Sequence, residues 1–334
     1  MQMHERIDIN EWFNTNGKAK HWKDSLDLLL DVGPRSLIIK CPDCGENGIP
    51  TTKWEKGLKA KPFYVIHNNG GSPYACHIKD DSKDLRGNIE ISKADLRKII
   101  RRAKSYVLFS GGKDSLCTLV YLKDIAKSIN KEITALHIDT TAGFPEVVRE
   151  ARNICKELKI PLKILRPERD FFQLAKRWGI PSFKSRWCCK ELKVNPVRNF
   201  LSKINDRKVI FDGIRAVESP QRRTYLPVWY HPTFKCLSIS PIFLWSDKRV
   251  KEFLNSRNLP ENPTKQFNCS VECWCGAYKK RSDFEKLLDV HPDIFEKLVQ
   301  VERAQKGKFT YVYENGKQIS LEEVRENYLN NQKR

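Results

Sequence analysis

No apolar stretch of this chain approaches the roughly 18 residues that a membrane-spanning helix needs. Its first residues, MQMHERIDINEWF, mix charged and apolar side chains and do not build a secretory leader. A cytoplasmic protein with no membrane partner is the expectation. There is no internal repeat and no long low-complexity tract, so repeat architectures and wholesale disorder are set aside. The GxxxxGK[ST] loop of the common nucleoside triphosphatases is also absent. Acidic residues are in short supply: 41 Asp and Glu stand against 61 Lys and Arg, for a formal charge of +20. Such a surplus points to a polyanionic partner, nucleic acid first.

What is present is enough for a folded, multi-part protein. A length of 334 residues suits roughly two to three domains. Hydrophobic residues make up 40%, which supplies a sizeable core. Eleven cysteines are many for a compartment that disfavours disulfides, and they read as metal ligands or redox groups. They cluster as Cys41, Cys44 and Cys76, as the adjacent Cys188 and Cys189, and as Cys269, Cys273 and Cys275. Cys117, Cys155 and Cys236 stand alone.

Patterning divides the chain into an N-terminal helical segment (1–40), a β-rich unit (41–78), and a linker with a basic helix capped by Ser92 (79–104). An α/β domain (105–280) and a mostly helical extension with an Asn315-Gly316 hairpin (281–334) follow. In the β-rich unit, IKCPDCGENG is a knuckle whose two thiolates can meet one metal. Cys76 and one histidine would close a structural zinc site. His67 is preferred to His77, because neighbours on a strand point to opposite faces and Cys76 already uses one of them. The stretch KWEKGLKAKPFY interleaves lysines with aromatics as a nucleic-acid surface does; a ribbon that merely braces the domain is the plainer reading.

From Lys104 onward strands and helices alternate, which predicts an α/β doubly wound parallel sheet. Ligands bind such sheets at the carboxyl ends of the strands. There the chain reads VLFSGGKDSLCTLVYL, a strand, two glycines, and a helix. Gly111 and Gly112 let consecutive N–H groups converge on an anion at a helix N-terminus. Lys113 adds a full charge, and Ser110 and Ser115 add hydroxyl donors. Asp114 is either a simple cap or a group near a bound metal.

The segment SGGKDS resembles the pyrophosphate loop (PP-loop) of the ATP pyrophosphatases, in the adenine nucleotide alpha hydrolase superfamily. Four further segments resemble the phosphoadenylyl-sulfate reductases, in family order: DTTAGFPEV, RWCCKELKVNPVRNFL, FDGIRAVESPQRR and ISPIFLWSDKRV. The resemblance runs from about Val107 to Tyr278. It implies ATP with Mg2+ at Ser110 to Ser115, with Lys113, Asp114 and Arg215 as catalytic groups. It implies Asp139 near the adenosine, and Gly213, Arg215, Glu218 and Arg222 facing the nucleotide or the acceptor. Cys188 and Cys189 match the first cysteines of a four-iron four-sulfur cluster. Its downstream pair would be Cys273 with either Cys269 or Cys275, a spacing that departs from the family's C-x-x-C. Zinc on the same thiolates is the alternative.

Two chemistries follow. A sulfonucleotide reductase binds a substrate already activated, and its loop commonly lacks the lysine. Here Lys113 is present, as pyrophosphate departure requires. The reductases also carry a cysteine near their C-terminus, and the sequence in hand shows none after Cys275. The expectation is therefore an ATP-dependent enzyme that adenylates an acceptor, nucleic acid and tRNA first, for sulfur transfer from a donor protein. Cys236, Cys117 or the spare third cysteine could serve as a persulfide carrier; packing is the plainer reading of Cys117 and Cys155, which lie on apolar helix faces. A sulfonucleotide reductase with an electron donor protein is the runner-up, and a nucleotide-sensing nucleic-acid-binding module the third reading. A homodimer stays open.

Overall fold

The computed structural model describes residues 6–8, 28, 38–52, 63–67, 74–78, 90–181, 185–223, 225–257, 259, 274–276, 279–305, 307–308, 313–314 and 317–332. Five short strands come first: β1 (Arg6–Asp8), β2 (Ile39–Lys40), β3 (Asn47–Thr52), β4 (Phe63–His67) and β5 (Tyr74–Ile78). They form one antiparallel sheet in the order β1-β5-β4-β3-β2. Side chains alternate across a strand, and β4 shows the consequence. Tyr64 and Ile66 join the main core, whereas Val65 packs with Cys41 and Cys76 in a separate small cluster. The strand Arg6–Asp8 lies within the segment expected to be helical over 1–40, of which Leu28 is helical and most of the rest lies outside the described residues. The strand's single apolar residue, Ile7, sits opposite Ala75 and packs on the main core, and it is the backbone pairing with β5 that makes this stretch a strand. The lysine-rich stretch around Lys56 to Lys61 and the linker at 79–89 lie outside the described residues.

Helix α1 (Lys93–Arg102) starts at Ser92, whose Oγ accepts from the Asp95 N–H at 3.1 Å. The α/β unit then runs β6 (Lys104–Leu108), α2 (Lys113–Lys127), β7 (Thr134–Ile138), α3 (Pro145–Glu157), β8 (Leu162–Leu165) and α4 (Phe171–Trp178). A π-helical turn over Cys189–Val194 leads directly into α5 (Asn195–Leu201). Pro196 has no N–H to donate into the preceding turn, and the Asn195 N–H bonds to the Lys190 carbonyl, one residue beyond the α-helical partner. Next come β9 (Lys208–Phe211), a 3-10 turn over Ala216–Glu218, α6 (Pro220–Arg223), β10 (Val228–His231), β11 (Cys236–Ile239) and α7 (Asp247–Asn255).

The six strands order as β10-β11-β9-β6-β7-β8, all parallel except β10 against β11. The short edge strand β10, VWYH, was not foreseen. Strand β6 lies between β7 and β9, so the winding reverses there and a crevice opens at its carboxyl end. SGGKDS stands at that point.

The rest of the chain contributes α8 (Arg281–Val290), α9 (Pro292–Gln305), the paired strands β12 (Tyr313–Glu314) and β13 (Lys317–Gln318), and α10 (Leu321–Gln332). These helices share one core with α4 and the thiol region: Phe284, Leu287, Phe295 and Leu298 pack with Phe171, Cys188, Trp274 and Cys275. No described helix is long and apolar enough to cross a membrane.

Candidate nucleotide site and thiol centres

The phosphate loop is held open by its own hydroxyls. Ser115 Oγ accepts from the Ser110 N–H at 3.2 Å and donates to the Gly112 carbonyl at 2.9 Å. The two serine oxygens lie 3.1 Å apart. Gly111 has φ +85°, a left-handed conformation that a side chain would strain. Gly213 is needed for close approach. A Cβ there would fall 2.8 to 2.9 Å from the backbone of Asp114 and Ser115, so the turn after β9 packs directly on the first turn of α2.

Four charged groups close the loop from the side. Lys113 Nζ lies 3.0 Å from both Asp114 Oδ1 and Asp247 Oδ1. The Arg215 guanidinium pairs with Asp114 at 2.8 Å and with Asp247 at 2.8 Å, and donates to the Trp245 carbonyl at 3.1 Å. Arg215, expected from the resemblance to face the nucleotide or the acceptor, is 1% exposed and turned to these two carboxylates. It acts on the loop from behind, because its donors are taken by carboxylates that position Lys113. Glu218 accepts from the Arg215 N–H at 3.0 Å and pairs with Arg222 one helical turn on, so these two also look to each other rather than to the loop. Asp247 was missed. At the start of α7 it looks like an ordinary acid of a first helical turn, and nothing local signals that it bridges Lys113 and Arg215. Its carboxyl is held down to about 2, first by Lys113 and then by Arg215. Asp212, also unforeseen, is a buried carboxylate accepting from the Ser238 and Ser240 hydroxyls at 2.9 and 2.6 Å; burial pushes its pKa up.

Beside the loop, a cavity of about 350 Å³ is lined by His137, Asp139, Thr140, Phe144, Lys193 and His231 among others. His137 Nδ1 bonds to the Phe109 carbonyl at 2.8 Å, which ties the two strand ends together. Asp139 accepts from Arg166 at 2.7 Å and from the Thr141 N–H at 3.0 Å. Thr141 itself has φ +60°, a costly conformation for a β-branched residue. Its hydroxyl accepts from the Phe171 N–H at 2.9 Å and donates to the Thr140 carbonyl at 2.6 Å, which holds the strained turn at the cavity mouth.

The thiols near this cavity are joined to it by two short tethers. The Cys188 thiol is in hydrogen-bond contact with both Cys189 and Cys275. Lys193, four residues after Cys189 along the π turn, lines the cavity. Trp274, beside Cys275, is fully buried, and its backbone N–H donates to the Ala142 carbonyl at 2.7 Å, two residues from the cavity-lining Thr140. The Cys189 thiol is pulled down to about 6 by the hydrogen bond from Cys188, whereas Cys188 is pushed up. Cys269 and Cys273 lie outside the described residues. Cys117 and Cys236 are 0% and 1% exposed, and burial pushes both up to about 12. Cys117 thus fits the packing reading, and the burial of Cys236 goes against its use as a persulfide carrier, because a sulfur carrier has to be reached from solvent.

The second centre is in the N-terminal sheet, on the face away from the main core. Ligand atoms of Cys41, Cys44, His67 and Cys76 all lie within 4.8 Å of one another, and theirs is the one group of that kind among the described residues. Gly45, at φ +75°, turns the knuckle, and its N–H donates to the Cys41 carbonyl at 2.9 Å. His67 Nδ1 bonds to the Asn47 carbonyl at 3.0 Å and Nε2 lies 3.5 Å from Cys44 Sγ. A backbone acceptor behind one ring nitrogen orients the other toward a metal. Gly48 makes room, since a Cβ there would sit 2.7 Å from the His67 ring. His77 stacks instead on Tyr64, on the other face of the sheet. Burial raises the pKa of Cys41 and Cys76, with neighbouring thiols adding to it. A metal cation relieves that cost by taking the thiolates as ligands.

Residues 104–270, half of the chain, match the phosphoadenosine phosphosulfate reductase domain. An uncharacterized protein of Methanocaldococcus jannaschii is 31% identical over 202 residues, 59% of this chain and 41% of the relative. The adenosine 5'-phosphosulfate reductase of Lysinibacillus sphaericus is 26% identical over 149 residues, 43% of this chain and 62% of that protein. The chain thus spans less than two thirds of the length of either relative. Among solved structures, the phosphoadenylyl-sulfate reductase of Candida auris superposes with a TM-score of 0.41 at 18% identity, over 55% of this chain and 91% of that one.

Proposed function

The chain belongs to the phosphoadenosine phosphosulfate reductase domain family, and from that premise we propose that it is an ATP pyrophosphatase of that type. It adenylates an acceptor, nucleic acid and tRNA first, for sulfur transfer. An acceptor oxygen bonds to the α-phosphorus of ATP, the bond from that phosphorus to the bridging oxygen breaks, and pyrophosphate leaves with the electron pair. Hydrosulfide delivered by a donor protein then bonds to the activated carbon, and the bond from that carbon to oxygen breaks, so that AMP leaves with the electron pair.

The observation that carries this reading is Lys113. Its ammonium is positioned by Asp114 and Asp247 at the N-terminus of α2, where negative charge builds on the departing pyrophosphate. Fixed charge aimed at such a site lowers the barrier without reorganisation. Mg2+ would arrive with the phosphates of ATP, since the loop's own carboxylate, Asp114, is taken by Lys113 and Arg215. Asp139 and the cavity beside it take the adenosine.

Cys188, Cys189 and Cys275, with Cys269 or Cys273, are the residues that would hold a four-iron four-sulfur cluster; their soft sulfur donors suit it. When bound, it would supply a place to carry or activate sulfur. Cys41, Cys44, His67 and Cys76 fit a closed structural zinc site, with three thiolates and one imidazole in reach of one ion.

The test is release of pyrophosphate from ATP with RNA as acceptor. Wild type should release it, and Lys113→Ala should slow it by roughly 100- to 1000-fold. The second reading, a sulfonucleotide reductase, is favoured by the identity to the Lysinibacillus sphaericus protein. Sulfite release from adenosine 5'-phosphosulfate with thioredoxin as the two-electron reductant and without ATP, unaffected by Lys113→Ala, would establish it in place of the first.

A further inference from the structure

A groove of about 640 Å³ runs along the edge of the sheet, between β8, α4 and α5. Five exposed cations line it: Lys163, Arg166, Arg169, Arg198 and Lys203. Among the described residues that line it, two carboxylates answer them, Glu168 and Glu191; Glu191 already accepts from the Asn195 amide at 2.7 Å, and of the five cations Arg166 is also paired from outside the groove, with Asp139. Trp178 also lines the groove, 45% exposed, with its ring edge-on to Trp187 at 5.5 Å.

The groove and the nucleotide cavity are two sides of one wall. Along the π turn and α5, Glu191, Asn195 and Arg198 face the groove, while Lys193, Val194 and Val197 face the cavity. At the end of that wall Arg166 of the groove pairs with Asp139 of the cavity at 2.6 Å. A polyanion lying in the groove therefore ends beside the nucleotide.

We propose that the acceptor docks in this groove as a single-stranded nucleic-acid segment, with phosphates on Lys163, Arg169, Arg198 and Lys203 and one base stacked on Trp178. The inference rests on the nucleic-acid acceptor proposed above and names the surface that holds it. Charge selects a polyanion. The exposed indole among cations selects unpaired bases, whose faces a duplex hides.

The experiment is fluorescence anisotropy of a labelled single-stranded RNA oligonucleotide on the full chain, across a range of salt. Removing two phosphate contacts with Arg169→Ala/Lys203→Ala should flatten the slope of log affinity against log salt by about 1.4. Lys127→Ala/Lys131→Ala, at the far end of α2, should leave the slope unchanged. Trp178→Ala should weaken binding on the order of tenfold, and Trp178→Phe should restore most of it, as a stacking role requires. An unchanged slope in the groove variant, or equal losses in both double variants, overturns the proposal. So does a wild-type chain that binds poly-glutamate as tightly as RNA, since that makes the partner an acidic protein. Binding of a non-hydrolysable ATP analogue separates the two readings. If the analogue binds and the groove variants hold RNA normally, the groove fails alone. If RNA binding falls as expected while no variant or wild type binds the analogue, the ATP reading fails and the groove stands.

Discussion

Lys113 and Asp247, 134 positions apart in the chain, meet at 3.0 Å across the phosphate loop. The contact joins the first turn of α2 to the first turn of α7, and Arg215 underpins both through Asp114 and Asp247. On the function proposed above, the lysine is held where a phosphate would sit before one arrives. The same carboxylate that holds it also repels an incoming phosphate. Asp247→Asn should therefore tighten binding of an ATP analogue by roughly 3- to 10-fold, while lowering kcat more steeply because Lys113 is no longer fixed. Titration calorimetry and single-turnover pyrophosphate release would read the two effects separately. Weaker binding with unchanged turnover would show that Asp247 does no more than support the fold.

The same carboxylate should appear in the acid stability of the protein. Its folded pKa of about 2 is below the ordinary aspartate value of about 3.9. A depressed acid contributes stability that is complete above its unfolded pKa and lost as pH falls through the folded one. The window is therefore pH ~4 down to ~2. Asp247 is largely open to solvent, so screening limits the contribution to about 1 kcal/mol or less. Urea denaturation of wild type and Asp247→Asn should show curves that differ at pH 5 and converge near pH 2. Curves that stay parallel across that window would remove the linkage.

Much of this site was legible because it is local in sequence. SGGKDS carries its glycines, lysine and hydroxyls within six positions, and the alternation of strands and helices placed it at a sheet end. The C-x-x-C-G knuckle and the argument against His77 were legible for the same reason: strand periodicity is a short-range rule. What stayed hidden was long-range. Asp247 acquires its role only when α7 is brought beside α2, and Asp212 only when β9 pairs with β11, and no spacing within either segment signals it. Arg215 reads in sequence as a ligand group and in space as a buried brace, because its partners lie at Asp114 and Asp247. The strand Arg6–Asp8 is too short for periodicity to separate it from a helix, and it is its pairing with β5 that fixes it.

Gly213→Ala tests the close approach of β9 to the loop. The added methyl would fall 2.8 to 2.9 Å from backbone atoms, which cannot rotate away as a side chain can. Overpacking of this kind costs about 1–3 kcal/mol, and it displaces the first turn of α2. The expected outcome is a lower Tm together with at least tenfold weaker binding of an ATP analogue. Gly112→Ala is the useful contrast, since its Cβ would meet only the Ser110 hydroxyl at 3.4 Å, and its effect on Tm should be smaller.

For the N-terminal centre the expected result is one zinc per chain by elemental analysis, with cobalt substitution giving the visible spectrum of a tetrahedral thiolate site. Gly48→Ala should loosen the metal without touching a ligand, because its Cβ would sit 2.5 Å from Val65 and 2.7 Å from the His67 ring. Release to a chelator should be faster in Gly48→Ala and fastest in His67→Ala, with loss of metal lowering Tm, since metal binding energy is folding energy in so small a unit. Zinc retained equally by all three proteins would exclude His67 as a ligand.

The described thiols should separate by reactivity in metal-free protein. Cys189 is only partly buried, and the hydrogen bond from Cys188 pulls its pKa down, which favours its thiolate over those of the core thiols. Cys117 and Cys236 are buried and pushed up to about 12, and Cys155 up to about 11. Alkylation by iodoacetamide at pH 7, followed by peptide mass analysis, should therefore label Cys189 first and the three core thiols only on unfolding. Replacing Cys188 with Ser weakens the hydrogen bond that holds the thiolate and should slow labelling of Cys189. If the protein is purified anaerobically with iron bound, Cys189 should be protected in proportion to the iron content, while Cys189→Ser should lose the visible absorption and keep its zinc. Labelling of Cys189 that ignores both the Cys188 substitution and the iron content would detach this thiol pair from the proposed cluster.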